Sequence, residues 1–385
     1  MKYRRLGEKI DKKVSALGFG CMRLPTIGGN ASVIDEVEAE KMLKTAIDSG
    51  VNYIDTAYPY HGGKSEPFVG KTLSNGYRDT VFIATKFPVW LLEKEADFDR
   101  IFTEQLTRLQ TDHIDFYLFH ALSTDRWDKV KRNKGLEWAE RMKKEGKIGH
   151  IGFSFHDVPE AFTTIMNEYD NWEFCQIQYN FMNENYQAGT AGLELASSRG
   201  IGVVVMEPLL GGGLAKPIPS VLKIWESAAT KRSPVEWAFR WLWNKAEVGT
   251  VLSGMSLPGQ VKENLRYAAE AAVGNLTQQE LDLFPRVAEE YDRLKPIPCT
   301  SCEYCMPCPH GVKISDNFRI YNEAKLYDQL GSGKFRYGNL SSGSKASACV
   351  ACGECIPKCP QHIAIIEELE KVTGFFEAYV VLRTM

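Results

Sequence analysis

Near its carboxyl end the chain reads Cys349-Val-Ala-Cys352-Gly-Glu-Cys355-Ile-Pro-Lys-Cys359-Pro360. This run decides the fold of the last part of the chain, because three closely spaced thiols and a fourth must share one tight loop. Of the 10 cysteines, only Cys21 and Cys175 lie before residue 299. The amino-terminal residues lack the apolar core of a secretory signal, and clustered cysteines in a chain without an export signal indicate metal binding rather than disulfides.

The spacing of this run is the C-x2-C-x2-C-x3-C-P pattern of bacterial ferredoxins. In that pattern the first three thiolates bind one cubane cluster, and the fourth, turned away by the proline, binds the other cluster. An earlier group repeats the layout with one residue fewer before its last cysteine, and it consists of Cys299, Cys302, Cys305 and Cys308, followed by Pro309. Together the two groups predict two [4Fe-4S] clusters.

The fourth cysteine of each group therefore predicts crossed ligand sets. One set is Cys299, Cys302, Cys305 and Cys359, and the other is Cys349, Cys352, Cys355 and Cys308. The shortened spacing makes Cys308 the least regular of these ligands. Two four-cysteine zinc sites are the alternative, but zinc does not require a third cysteine at a further two-residue step with Cys-Pro after it.

The cysteines define a predicted second domain, residues 296–385, which we expect to be a small two-cluster ferredoxin-like domain with a C-terminal tail. Between the two groups lies an insertion, residues 313–347, with a helical pattern over 316–326 and a Gly/Ser-rich end. The preceding residues, 1–295, are enough for one barrel-sized domain.

In the first 295 residues, short apolar runs alternate with longer amphipathic stretches. The predicted strands are residues 16–20, 51–55, 81–86, 114–119, 148–154, 174–179, 202–206 and 249–254. Helical patterns fall between them, at residues 36–49, 98–109, 127–145, 159–167, 193–198, 234–243 and 261–272. This alternation predicts a (β/α)8 TIM barrel in an α/β protein. A doubly wound sheet is the rival, but its dinucleotide fingerprint would need a third glycine where Arg23 follows Gly18 and Gly20.

The composition restricts the partners of the chain. Charged residues make up 25% and hydrophobic residues 44%, and the formal net charge is -3. These values are those of a soluble globular protein and give no indication of nucleic-acid binding. No stretch approaches the roughly 20 apolar residues of a membrane-spanning helix. We therefore expect a cytoplasmic protein with no nucleic-acid or membrane partner.

Three polar residues, Asp55, Lys86 and His120, stand at or just beyond the ends of predicted strands, where TIM barrels place their chemistry. The segments around them, Asp55-Thr-Ala-Tyr-Pro-Tyr60, Ala84-Thr-Lys86-Phe and Leu118-Phe-His120, resemble the aldo-keto reductase family, in its bacterial and archaeal branch with a ferredoxin-type extension. The resemblance implies reduction of a small carbonyl substrate, or oxidation of an alcohol, with NAD(P)H. Tyr60 would donate the proton, Lys86 would stabilise the phenolate and Asp55 would hold Lys86. His120 would orient the carbonyl.

The resemblance also implies a nicotinamide site on the later strands. Ser154 stands where the family begins a Ser-Asn clamp for the carboxamide, but Phe155 replaces the asparagine. Gln176 matches a further carboxamide contact, and Met206 takes the position of a tyrosine that stacks on the ring. The next loop could wrap a pyrophosphate, and it contains Pro208, Leu209 and Gly211.

Two positions differ from the family members that prefer NADPH. Gly254 and Gln260 stand where those members carry a basic residue and an arginine that hold the 2′-phosphate. Glu263 and Asn264, which face the adenine in the family, are retained. Because charge-assisted bonds to phosphate are strong, their loss weakens NADPH preference, and NADH becomes the other candidate.

A hydride carries two electrons, whereas an iron–sulfur cluster passes one, so the two domains do not couple simply. The first hypothesis is a nicotinamide-dependent oxidoreductase whose clusters are structural or exchange electrons with a ferredoxin or flavodoxin-like partner. The second replaces the nicotinamide by a flavin or by electron delivery from a ferredoxin-like donor. The third is a non-catalytic redox sensor, against which the intact tetrad argues.

Overall fold

The computed structural model describes residues 1–74 and 76–377. They form two compact units, one of Met1–Pro208 with Glu236–Thr277 and one of Leu209–Val235 with the described chain from Gln278 onward. The predicted domain boundary at residue 295 lies within the second unit. Of the predicted C-terminal tail, the residues beyond 377 lie outside the described part of the chain.

The first unit contains a closed barrel of eight parallel strands, which confirms the predicted fold. An antiparallel hairpin, β1 (Tyr3–Arg5) and β2 (Lys13–Ser15), precedes the barrel. The barrel strands are β3 (Leu17–Gly20), β4 (Tyr53–Asp55), β5 (Phe82–Phe87), β6 (Ile114–Leu122), β7 (Ile148–Phe155), β8 (Phe174–Gln178), β9 (Gly202–Met206) and β10 (Val248–Ser253). Each strand pairs with the next, and β10 closes the barrel on β3. Their near-continuous apolar character reflects burial on both faces of a parallel sheet.

The amino-terminal hairpin region fills one end of the barrel with apolar side chains. Leu6, Ile10 and Val14 are buried in one cluster with strand residues such as Phe116. Gly202 permits this contact, because a Cβ there would lie 2.7 Å from Cγ of Leu6. The opposite end, where the strands finish, is the end at which TIM barrels carry their chemistry.

Helices alternate with the barrel strands and continue into the second unit. They are α1 (Glu36–Asp48), α2 (Ser65–Leu73), α3 (Ala96–Leu109), α4 (Thr124–Arg132), α5 (Gly135–Lys144), α6 (Pro159–Glu168), α7 (Gly189–Ser198), α8 (Pro219–Glu226), α9 (Pro234–Trp243), α10 (Pro258–Ala268), α11 (Gln278–Leu281), α12 (Leu283–Arg293), α13 (Ile314–Leu326), α14 (Leu330–Gly338) and α15 (Ile365–Glu377). Within the described residues, no helix has the length and apolar character needed to cross a membrane.

The prediction of one helix over residues 127–145 is wrong. The chain breaks between α4 and α5, where Lys134 adopts a left-handed conformation with φ of 56°. Gly135 follows at a crowded position, since a Cβ there would lie 2.7 Å from Val130 and 2.8 Å from Phe98. The break therefore lets the backbone approach α3 closely, a demand of tertiary packing that helical periodicity does not reveal.

The second unit has its own apolar core around α13. Phe318 of α13 and Leu369 and Phe376 of α15 belong to one buried cluster, against which the cysteine loops pack. Two buried amides tie loops to α13. Asn322 exchanges two hydrogen bonds with the backbone of Ile297, at 2.7 and 2.9 Å. Asn317 donates to the carbonyls of residues 313 and 344 and accepts from the N–H of residue 346, so α13 fixes both ends of the insertion.

Candidate active site and cluster sites

The four residues of the predicted tetrad meet at the carboxyl end of the barrel. Asp55 is the last residue of β4, Lys86 lies in β5, His120 lies in β6 and Tyr60 lies in the loop after β4. The Lys86 ammonium donates to both carboxylate oxygens of Asp55 at 2.7 Å and to the Thr56 carbonyl at 2.8 Å. Its Nζ also lies 3.5 Å from the Tyr60 hydroxyl. One buried ammonium therefore links the carboxylate to the phenol.

The electrostatics of this group keep the lysine charged and the tyrosine protonated. Burial alone would lower the pKa of Lys86, but the Asp55 carboxylate and Tyr60 outweigh it and raise that pKa. Burial raises the pKa of Asp55, and the Lys86 ammonium opposes this shift. Burial likewise raises the pKa of Tyr60, and Lys86 again opposes the shift. At neutral pH the phenol can therefore give up a proton to an oxyanion beside a fixed positive charge.

His120 faces the same space as Tyr60. Their ring centroids are 6.1 Å apart, with an interplanar angle of 80°. Burial and, next, the Lys86 charge lower the pKa of His120 well below its ordinary value, so the imidazole is neutral at physiological pH. Its Nδ1 atom is buried without a hydrogen-bond partner among the described residues. A neutral imidazole carries one ring N–H, which can donate a hydrogen bond to a substrate carbonyl oxygen.

A network of buried polar side chains, which the sequence did not reveal, holds the backbone of Lys86 in place. Gln105 of α3 donates to the Lys86 carbonyl at 3.1 Å and to the Glu66 carboxylate at 2.7 Å. Glu66, fully buried in α2, also accepts from Thr85 at 2.7 Å and pairs with Arg108 at 3.2 Å. The network ties α2 and α3 to β5, and only the fold brings these distant residues together.

Ser154, Gln176 and Met206 lie on the neighbouring strands β7, β8 and β9. Gln176 is buried, and its Oε1 atom has no hydrogen-bond partner among the described residues. Its Nε2 atom lies 3.5 Å from the Met206 sulfur. Ser154 accepts from the Ala121 N–H at 2.7 Å, so its own hydroxyl proton remains available. A buried acceptor beside a hydroxyl donor fits a carboxamide, which carries both hydrogen-bonding functions.

Two of the side chains predicted to contact the adenosine part of the nucleotide make hydrogen bonds within the protein. The Gln260 side chain accepts from the backbone N–H groups of Ser256 and Leu257 at 2.8 and 3.2 Å, so it caps the start of α10. Asn264 is buried and donates to the Ser253 hydroxyl at 3.0 Å. A Cβ at Gly254 would lie 3.1 Å from the Arg23 side chain. Glu263, also on α10, is exposed. That these residues contact the adenosine stays a prediction.

The predicted pyrophosphate loop divides between the two compact units. Pro208 ends the first stretch of the barrel unit, and Leu209 begins the other unit. Gly211 and Gly212 both have positive φ, 65° and 97°, which glycine adopts readily. The part that Pro208, Leu209 and Gly211 take in binding a pyrophosphate stays a prediction.

The eight clustered cysteines line two cavities in the second unit. Cys308, Cys349, Cys352 and Cys355 line a cavity of about 330 Å³. Cys299, Cys302, Cys305 and Cys359 line another of about 340 Å³. This grouping has the crossed arrangement that the spacing predicts. Ile314 lines both cavities, so they are neighbours.

The cavities fit a multi-iron cluster better than single zinc ions. A zinc ion needs its thiolates within about 2.3 Å of one point. Within residues 1–74 and 76–377, no three His, Cys, Asp or Glu side chains are grouped so that they could hold one metal ion. Apolar residues such as Val312 and Leu369 complete the wall of the first cavity, and such a wall limits solvent access to a cluster.

Comparison with known proteins agrees with both units. A family model described as the Aldo/keto reductase family matches residues 16–287. The chain belongs to the aldo/keto reductase family. This reductase therefore is an oxidoreductase, and a second family model, described as a 4Fe-4S dicluster domain, matches its residues 298–364. Its identity as a barrel reductase with a ferredoxin-like extension, predicted from the sequence, is thereby confirmed.

Several relatives share the barrel part of this reductase. The uncharacterized oxidoreductase YqkF of Bacillus subtilis (strain 168) is 28% identical over 315 residues, which are 73% of this chain and 94% of that protein. The NADH-specific methylglyoxal reductase of Escherichia coli (strain K12) is 24% identical, with 74% and 97% covered. The holo form of aldo-keto reductase AKR11C1 from Bacillus halodurans superimposes with a TM-score of 0.62 at 30% identity, with 74% and 96% covered.

Proposed function

We propose that this aldo/keto reductase reduces a small carbonyl compound with NAD(P)H, or oxidises the corresponding alcohol, through Asp55, Tyr60, Lys86 and His120. The nicotinamide, when bound, supplies or accepts the hydride. Tyr60 gives its proton to the oxygen as negative charge develops there, and Lys86 stabilises the resulting phenolate. Asp55 keeps the ammonium in place, and His120 hydrogen-bonds the carbonyl. The observation that carries the proposal is the Lys86 ammonium that contacts both Asp55 and Tyr60.

The cofactor side of the proposal rests on Ser154, Gln176 and Met206. The unpartnered Oε1 of Gln176 is available to accept from a carboxamide NH2 group. Gly254 and Gln260 offer no cation to a 2′-phosphate, and Gln260 is engaged in capping α10. An NADH-specific enzyme among the relatives also supports NADH as the preferred nucleotide.

For the cysteine unit we propose two [4Fe-4S] clusters that transfer electrons, held by the two crossed ligand sets. A resident cluster supplies one-electron chemistry. Two neighbouring cavities that share Ile314 in their walls support electron exchange between two clusters. Because nicotinamides exchange electrons in pairs, we propose that the clusters serve a one-electron protein partner, a ferredoxin or a flavodoxin-like protein.

The decisive experiment measures NADH and NADPH oxidation by anaerobically purified enzyme with a broad panel of aldehydes and ketones. We expect turnover in the wild type and a loss of about 10²- to 10⁴-fold in kcat for Tyr60→Phe, because the proton donor is removed. Tyr58→Phe is the matched control, since Tyr58 lies in the same loop but bonds Glu104 instead. Absence of turnover with both nucleotides would contradict the proposal, and a flavin absorbance band that survives cluster removal would favour the flavin-linked alternative.

A further inference from the structure

A half-buried arginine lies at the mouth of the barrel beside His120. Arg126, in the first turn of α4, donates from Nη1 to the Ala121 carbonyl at 2.7 Å. Its guanidinium carbon lies 5.5 Å from the centroid of the Trp90 ring. The same ring lies next to His120, with the two centroids 5.0 Å apart. One indole therefore contacts both the predicted carbonyl-binding histidine and a cation.

The local backbone holds this guanidinium in place. Ala121 has φ of 52°, and the pairing of β6 with β7 shifts register between Phe119 and Leu122, which turns the Ala121 carbonyl out of the regular ladder. The first turn of α4 is anchored by the carboxylate of Asp157, which accepts from the Thr124 N–H at 2.8 Å. An arginine with a fixed backbone and a stacked side chain loses little further entropy when it binds a ligand.

The charge of Arg126 is not neutralised by the protein. No carboxylate of the described chain lies within 4.0 Å of its guanidinium. Burial lowers the pKa of Arg126, and no acidic group opposes that shift. The basic groups near Arg126 add no free positive charge, because Lys86 is paired with Asp55 and burial lowers the pKa of His156 to about 4, which leaves that imidazole neutral.

The single bond to Ala121 does not account for this arrangement. A guanidinium has five N–H donors in a planar fork that matches a carboxylate, and one backbone carbonyl uses one of them. Placing a cation half out of water costs free energy unless an anion accompanies it. Trp90 is 39% exposed, so a ligand from solvent can reach the indole that contacts both the guanidinium and His120.

We propose that Arg126 binds a carboxylate on the substrate, so that the preferred substrates are carbonyl compounds that carry a carboxylate a few atoms from the carbonyl group. The inference rests on the proposed function, because it assigns one end of the substrate to His120 and Tyr60. The carbonyl lies between these two residues, and the carboxylate lies on the guanidinium across the face of Trp90. Oxo acids and aldehydes with a carboxylate substituent have this chemistry.

The test compares 4-formylbenzoate with its uncharged methyl ester as substrates of the holoenzyme. We expect the wild type to prefer the acid, and we expect Arg126→Met to lower the acid-to-ester ratio of kcat/KM roughly 10- to 100-fold, the value of a charge-assisted bond. Arg126→Lys should restore part of the ratio because it keeps the charge. The matched control is Arg132→Met, on the same helix but exposed, which should leave the ratio unchanged. A wild type that prefers the ester, or an equal loss for both substrates in Arg126→Met, would overturn the inference.

A binding measurement separates this inference from the proposed function. Calorimetry with 4-(hydroxymethyl)benzoate, with and without reduced nicotinamide nucleotide, involves no turnover, because an alcohol and a reduced nucleotide cannot react with each other. Binding by the wild type that is lost in Arg126→Met supports the anion site even if the enzyme oxidises neither NADH nor NADPH. No binding by the wild type in either state would overturn the inference, even if carbonyl reduction is observed.

Discussion

The carboxyl end of the barrel and the cysteine unit differ in what surrounds their reactive groups. In the barrel, the Lys86 ammonium is paired with the Asp55 carboxylate at 2.7 Å, and a buried hydrogen bond from Gln105 holds the Lys86 carbonyl. In the cysteine unit, eight thiols line two neighbouring cavities. The charges of the barrel site are thus balanced by protein groups alone, whereas we expect the cysteine unit to need inorganic clusters to fill its interior. We therefore expect the stability of the cysteine unit to depend on iron, and the stability of the barrel unit to depend on the buried ion pair.

The largest expected effect tests the crossed ligand sets. Cys308→Ala with Cys349→Ala removes two thiols from one proposed set, so about half of the iron should remain after anaerobic reconstitution. Cys349→Ala with Cys359→Ala removes one thiol from each set and should affect both clusters. Iron and sulfide analysis with electron paramagnetic resonance measures this.

Uncrossed sets would reverse the two outcomes, because Cys349 and Cys359 would then share a cluster. Cys175→Ala is the control, since Cys175 is buried in β8 of the barrel, and it should leave the iron content unchanged.

The next effect concerns the ion pair of the barrel. Lys86→Met leaves the Asp55 carboxylate buried without its cation, and we expect a loss of about 3–5 kcal/mol in the free energy of unfolding of the barrel unit. Adding Asp55→Asn should recover part of that loss. Denaturant unfolding followed by circular dichroism measures both. Lys71→Met removes an exposed pair with Glu36 and should leave the free energy of unfolding nearly unchanged. Equal losses of unfolding free energy in the two lysine variants would show that the buried pair stabilises the protein no more than the exposed pair does.

The dependence of reduction on pH follows from Tyr60 and His120. Reduction needs a protonated phenol, and burial raises the pKa of Tyr60 above its ordinary value of about 10, so kcat should fall only as pH rises through that higher value. Burial lowers the pKa of His120 below its ordinary value of about 6.5, so kcat should not change as pH falls to about 6. The profile should be measured with deuterated nicotinamide to confirm that hydride transfer limits the rate. A fall in kcat centred near neutral pH would contradict the assignment of Tyr60.

The smallest effect sharpens the role of the network behind Lys86. Gln105→Leu removes the bond to the Lys86 carbonyl and leaves the Tyr117 hydroxyl without its acceptor, so we expect a loss of about 1–3 kcal/mol in unfolding free energy. We also expect kcat to fall more than KM rises, because we propose that Lys86 stabilises charge in the transition state. Thr107→Ala, an exposed position on the same helix, is the control. A variant with wild-type stability and kcat would show that the network does not position Lys86.

Several parts of the molecule could be predicted from local sequence. The eight strands are short apolar runs, and their order needs only the rule that consecutive βα units form adjacent parallel strands. Asp55, Lys86 and His120 could be placed at one end of the barrel because they follow the apolar runs. The crossed cysteine sets follow from the spacing and the prolines. In each case the signal lies within a few consecutive residues.

Other parts depend on contacts between distant residues. Gln260 has the right position for a phosphate contact, but its side chain turns back to cap α10. The predicted helix over residues 127–145 breaks because Gly135 must approach α3. Leu209–Val235 follows β9 in the sequence but groups with the cysteine unit.

The sequence alone indicated the barrel strands and the two cysteine groups, because periodicity and spacing express the geometry of strands, helices and metal loops directly, and the resemblance to a known family added the predicted tetrad. The tertiary structure decided which polar residues surround these groups. Glu66 and Gln105, which are 39 residues apart in the chain, support Lys86 from two helices. Arg126 of α4 and His120 of β6 meet on the ring of Trp90 only in the folded barrel. Hydrogen bonds and unpaired charges act over a few ångströms in space, and sequence distance does not encode that separation.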